Sequence, residues 1–173
     1  LFTYVAGSPI IFMEGFGLSA AAYSAIFAGI AVGFIGGSQL NVWLLKRFSS
    51  EQLFLRMLVV QSLFGIVFAV GAYFHLYGLY STLVMFFLFL SCVGITSPNG
   101  SAMAMVPFSK NAGSAAAMLG FLQLGTGSVI SSGIGVFMSK ESFPLAAILA
   151  VTSVLGVMVL LAGRRKVAQA PVA

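Results

Sequence analysis

Side chains able to carry chemistry are few. The 173-residue chain holds three acids, Glu14, Glu51 and Glu141, together with one histidine, His75, and one cysteine, Cys92. Hydrolysis needs a nucleophile, a base and a group that orients the base, and metal catalysis needs several converging ligands. No GxxxxGK, HExxH or GxSxG pattern supplies either set. Gly15-Phe-Gly17-Leu-Ser-Ala20 matches GxGxxA in its letters. No strand precedes it and no acid follows at about twenty residues, so it reads as a loop leading into a helix. His75 reads as a side chain at a membrane boundary, and Cys92 has no internal disulfide partner. An enzyme, a cofactor and a metal centre are therefore not expected.

The remaining chemistry is uncharged hydrogen bonding beside helix-breaking residues. It is concentrated in Gly7-Ser8-Pro9 and in Gly94-Ile-Thr96-Ser97-Pro98-Asn99-Gly100-Ser101, with Gln123 further on. Pro98 has no backbone N–H and Gly94 and Gly100 loosen the chain on either side, so carbonyls near Gly94 lose donors. Such groups are tolerated only inside protein or along a wet cavity. Two readings of Asn99 stay open at this level, a contact with a bound molecule and a hydrogen bond to a neighbouring helix.

The elements that position these groups follow from composition. Sixty per cent of the residues are hydrophobic and 6% charged, and no charged residue lies between Met57 and Ser109. That stretch alone can cross a bilayer twice, at about 20 residues per span. The chain is thus expected to be all-α and polytopic. Its formal charge of +5 is spread over short connectors, which argues against nucleic acid as a partner. Breaks divide it into six segments, 1–13, 19–45, 53–74, 81–106, 112–138 and 143–162, with the bilayer as the surrounding partner. The first is too short to cross and reads as a helix truncated at the start of a fragment. A basic-residue count orients the set. Lys46, Arg47, Arg56, Lys110, Arg164, Arg165 and Lys166 fall on one side and Lys140 alone on the other. The rule that basic loops stay inside then puts the C-terminus in the cytoplasm.

Glycines recur at helical spacing, Gly29, Gly33 and Gly37 in the second segment and Gly127, Ser131 and Gly135 in the fifth. Such stripes let backbones approach closely, so both helices are expected to pack tightly and to face away from lipid. No acid lies inside a segment, so any proton-coupling carboxylate belongs to another part of the molecule.

Four stretches, taken in order, resemble one family. They are Tyr4-Val-Ala-Gly-Ser-Pro9, Gly37-Ser-Gln-Leu-Asn41, Thr96-Ser-Pro-Asn99, and Phe108-Ser-Lys-Asn-Ala-Gly-Ser-Ala115 leading into Leu119-Gly-Phe-Leu-Gln123. Their order and spacing are similar to the C-terminal half of Bcr/CflA-type drug-resistance transporters of the major facilitator superfamily. The resemblance implies a twelve-helix fold in two six-helix halves, with this chain as helices seven to twelve in residues 1–166 and a cytoplasmic tail in 167–173. It also implies export of small amphipathic drugs across the bacterial inner membrane, driven by protons handled in the other half. Helices one, two, four and five would line the cavity and three and six would face lipid.

Tyr4, Ser8, Phe12, Asn99, Met103 and Gln123 are the expected substrate contacts. Gly7, Pro9, Gly29, Gly33, Gly37, Gly94, Pro98, Gly113 and Gly120 are expected to shape or hinge helices. Gly37, Asn41, Lys46 and Arg47 correspond to the superfamily's glycine-rich cytoplasmic loop motif. Here Asn41 stands where the first-half copy carries Asp, and Val42 and Trp43 stand where an Arg would be expected. The rival reading is a membrane subunit without transport activity, or a half-size transporter acting as a dimer.

Overall fold

The computed structural model describes residues 1–137 and 142–168. The Lys140 and Glu141 connector and the end of the tail, 169–173, lie outside the described residues. Among the described residues six α-helices follow one another: α1 (Phe2–Pro9), α2 (Ala20–Leu44), α3 (Ser50–Tyr73), α4 (Leu79–Met105), α5 (Ala112–Phe137) and α6 (Phe143–Ala168). The fold class is the expected one, all-α and polytopic. Five of the helices, all except α1, are long and apolar enough to cross a membrane.

Helix α1 continues into a π-helical turn, Ile10–Gly15, directly after Pro9. Together the two cover Phe2 to Gly15, about 21 Å at 1.5 Å per residue, short of the roughly 30 Å hydrocarbon layer. Gly17 then takes a left-handed φ of 68°, which turns the chain into α2. Ser19 starts α2 by accepting from the Ala22 N–H at 3.3 Å. Ser49 and Gln52 form a reciprocal capping box at the start of α3. At the far end of α3, His75 stands in the left-handed region with φ 53°. Its N–H reaches the Ala72 carbonyl at 3.1 Å and the Leu76 N–H reaches Gly71 at 2.9 Å, the paired bonds of a Schellman stop. His75 is exposed there, and its backbone ends a helix.

The expected ends of the segments agree with the helices to within about three residues, except at α1, which gives way to the π-helical turn at Ile10, and at α6. That helix runs on to Ala168, carrying Arg164, Arg165 and Lys166 within it. Gly37 and Asn41, two residues of the loop motif, fall within the second expected segment, 19–45. Both lie inside α2 and are buried, and only Lys46 and Arg47 fall in the turn after it.

Helix α4 is the hub, packed against α2 on one side and α3 on the other, while α3 also packs along α6. On the far side α1 contacts α5 and α6. Exchanging each helix with the one three places along converts α2·α4 into α5·α1 and α3·α4 into α6·α1, and leaves α3·α6 unchanged. The principal pairings therefore map onto themselves. Two three-helix repeats of opposite direction produce this pattern, as in transporter folds with inverted repeats.

The glycine stripes behave unequally. In α2 a Cβ added at Gly37 would run into the Ser91 carbonyl of α4, and one at Gly33 would come within 2.7 Å of the Phe87 ring. Gly94 answers from α4, where a Cβ would run into the Phe34 carbonyl of α2. Gly29, however, borders open space. In α5 the expectation fails more broadly: the Ala112–Ser132 span contains no buried residue. Gly127 meets Phe2 of α1, Gly113 and Gly120 meet nothing within 4 Å, and the side of Gly135 lies outside the described residues. Among the described residues helix α5 packs mainly against the short α1 and, less, against α4 and the turn that follows it, so most of its surface stays uncovered.

Candidate functional site

Three of the expected substrate contacts are brought together by periodicity. Tyr4, Ser8 and Phe12 are spaced by four residues and lie on one face of α1 and its π-helical extension. All three are buried, at 0–2% exposure. Tyr4 stacks on Phe27 of α2 with centroids 5.7 Å apart and tilts against Phe86 of α4 at 5.1 Å. Phe12 meets Phe86 edge-on at 5.8 Å, and Phe86 meets Phe68 of α3 at 4.9 Å. Ser8 and Tyr23 share a hydrogen bond of 2.9 Å. The outcome is a buried aromatic cluster joining four helices. Two hydroxyls enclosed in this layer, those of Tyr4 and Thr82, have no hydrogen-bond partner among the described residues. Enclosing them in this way costs free energy that a partner would recover.

A second group lies further along α2 and α4. Pro98 removes the donor that would have reached Gly94, four residues back. The Ser38 hydroxyl of α2 donates to that Gly94 carbonyl instead, at 2.9 Å. One turn on, the Asn99 side-chain N–H reaches Asn41 Oδ1 at 2.6 Å and the Ile95 carbonyl at 2.8 Å. Both asparagines are buried. Of the two sequence readings of Asn99, the structure displays the hydrogen bond to a neighbouring helix. Asn41 makes a neutral pair with it, and the nearby Arg47 guanidinium lies over the Trp43 ring at 5.5 Å.

The third group opens onto space. Gln123 of α5 donates to the Ser101 hydroxyl of α4 at 3.2 Å, at an exposed position. Thr96 of α4 donates to Gln61 Oε1 of α3 at 3.0 Å. These four residues, with Ser97 and apolar Phe54, Leu58 and Leu119, border a cleft of about 330 Å³. Next to it, between the end of α4 and the start of α5, lies an apolar hollow of about 520 Å³ bordered by Met105, Phe108, Met118, Leu119 and Leu122. Met103 is half-buried and borders neither. Of the expected hinge residues, Gly7 is buried in α1, Pro9 precedes the π-helical turn, and Pro98 lies within an unbroken α4.

Gln61 is the residue sequence reasoning missed. The signal was present: between Met57 and Ser109 only Gln61 and Asn99 carry a side-chain amide. Among the described residues no cluster of three or more His, Cys, Asp or Glu side chains could hold a metal ion.

No family model matches the chain. No solved structure matches it significantly. Over 159 residues, 90% of its length, it is 29% identical to YdgK of Bacillus subtilis strain 168, an uncharacterized MFS-type transporter. The chain spans 38% of that protein's length. An all-α, multi-pass membrane chain with paired three-helix repeats is thus similar, over most of its residues, to part of a major facilitator protein.

Proposed function

We propose that this chain is the C-terminal half of a proton-coupled drug efflux transporter of the major facilitator superfamily, of the Bcr/CflA type. It works by alternating access in the bacterial inner membrane, with its C-terminus in the cytoplasm. The observation that carries the reading is the helix pairing, which maps onto itself when each helix is exchanged with the third one along. Similarity to an MFS-type transporter supports it.

In this reading the uncovered faces of α2 and α5 meet the other half of the molecule, which also supplies the coupling acid. The aromatic cluster of Tyr4, Phe12 and Phe86 is the closed outer layer. When it opens, the enclosed Tyr4 and Thr82 hydroxyls gain partners from water or from an amphipathic drug. Gln123 contacts the drug at the cleft between α3, α4 and α5, while Met103, which borders neither the cleft nor the apolar hollow, is left outside the contact. Asn99 acts through its bond to Asn41, holding α4 against α2.

Replacing Gln123 by Ala in the intact protein tests the substrate role, since the side chain is exposed and only one hydrogen bond is lost. Resistance is expected to fall at least several-fold for some drugs and not for others, with membrane abundance unchanged. An unchanged profile across all drugs would remove Gln123 from the site.

A further inference from the structure

We infer that the cleft between α3, α4 and α5 is a binding site for small uncharged amphiphiles whose head is an amide or hydroxyl. The inference rests on the transport reading in that Gln123 belongs to both, and it names the class of molecule the cleft takes; binding in nanodiscs can fail while gradient-driven transport holds, and the reverse.

Three helices send uncharged polar groups to the cleft, Gln61 from α3, Thr96, Ser97 and Ser101 from α4, and Gln123 from α5, and no charged residue borders it. Their mutual bonds leave capacity unused. Thr96 occupies Gln61 Oε1 and Ser101 occupies Gln123 Nε2, so among the described residues Gln61 Nε2 and Gln123 Oε1 are without partners. Turning either amide over exchanges donor for acceptor and still leaves one free group at each position. A carboxamide or hydroxyl head both donates and accepts, so it matches every such arrangement. A carboxylate or ammonium head would enter without a counter-charge and bear the full desolvation cost.

Space for the rest of the molecule is contiguous. Leu119 borders both the polar cleft and the apolar hollow. The hollow carries Met105 and Met118, flexible side chains that adapt to apolar tails of different shape. Its volume and the cleft's fall in the range of small-molecule pockets. Gly100 lets the Phe54 ring lie close to α4 at one edge of the cleft, since a Cβ there would come within 2.8 Å of the ring.

The test is a titration of the purified protein in lipid nanodiscs with octanamide, followed by thermal unfolding. A saturable rise in Tm is expected with octanamide and none with octanoate at the same concentration. Gln61→Leu and Gln123→Leu should each weaken the apparent affinity at least tenfold. Ser24→Ala, whose hydroxyl bonds only the Ala20 carbonyl of its own helix, should bind as the unaltered protein does. If Gln61→Leu does not fold, the exposed Gln123→Leu decides alone. Equal shifts with octanoate, a shift that never saturates, or undiminished affinity in the folded leucine variants would each overturn the inference.

Discussion

Gly94→Ala should destabilise the protein by about 3 kcal/mol, at the upper end of the cost of overpacking. The added Cβ would meet the Phe34 carbonyl, a backbone atom held in the middle of α2, and α2 cannot retreat without losing the Ser38 bond to the same Gly94 carbonyl. Gly37→Ala should behave alike against the Ser91 carbonyl. The informative comparison lies within one helix. Gly29→Ala and Gly36→Ala border open space, so they escape the clash and gain up to about 1 kcal/mol of helix propensity. Opposite signs at Gly29 and Gly37 are the expected result, read from unfolding in detergent by Trp43 fluorescence. Equal effects at the two positions would mean that α2 and α4 do not cross at Gly37 and Gly94. In lipid the crossing matters more than apolar area does, because tails solvate Leu and Phe as well as a helix does, and close backbone packing supplies the attraction.

Asn99→Ala should be the second large effect, costing about 2–3 kcal/mol, since it removes a packed side chain and leaves the Asn41 amide unpaired in a dry setting. A double-mutant cycle separates the two parts. Asn41→Ala and Asn99→Ala together should cost less than their sum by roughly 0.6–1.7 kcal/mol, the range of side-chain hydrogen bonds between membrane helices. Zero coupling would mean that the 2.6 Å contact is not maintained in the membrane. Because Asn99 holds α4 on α2, its replacement should lower transport of every substrate alike. Gln123→Ala should instead change the pattern among them, and the two variants therefore distinguish positioning from contact.

How much of this was legible in the sequence differs from residue to residue. The helices were, because runs of apolar residues without charge leave only helical spans as a way to satisfy the backbone. The consequence of Pro98 was legible in kind, a carbonyl at Gly94 in need of a donor. The donor itself, Ser38, was not, because it lies 56 residues away and only the α2·α4 crossing brings it near. Gly33 and Gly37 announced that crossing, yet Gly29 carries the same spacing and touches nothing. A stripe specifies that an approach is permitted, and the crossing angle decides which glycines use it. Helix α5 shows the limit most clearly: its glycines suggested burial, and its surface lies open because its neighbours are short or few. Gln61 was hidden for a different reason. A lone amide in an apolar run is informative only when the opposite helix is known, and its partner Thr96 lies 35 residues away.

Transport by the intact protein is the most direct test of the central claim. Everted membrane vesicles carrying it would be given an inside-acid pH gradient and a fluorescent amphipathic drug outside. The account predicts drug accumulation that follows the gradient, vanishes when a protonophore is added and is absent from vesicles lacking the protein. Accumulation that persists with the protonophore, or no accumulation of any amphipathic drug by the correctly inserted protein, would contradict it.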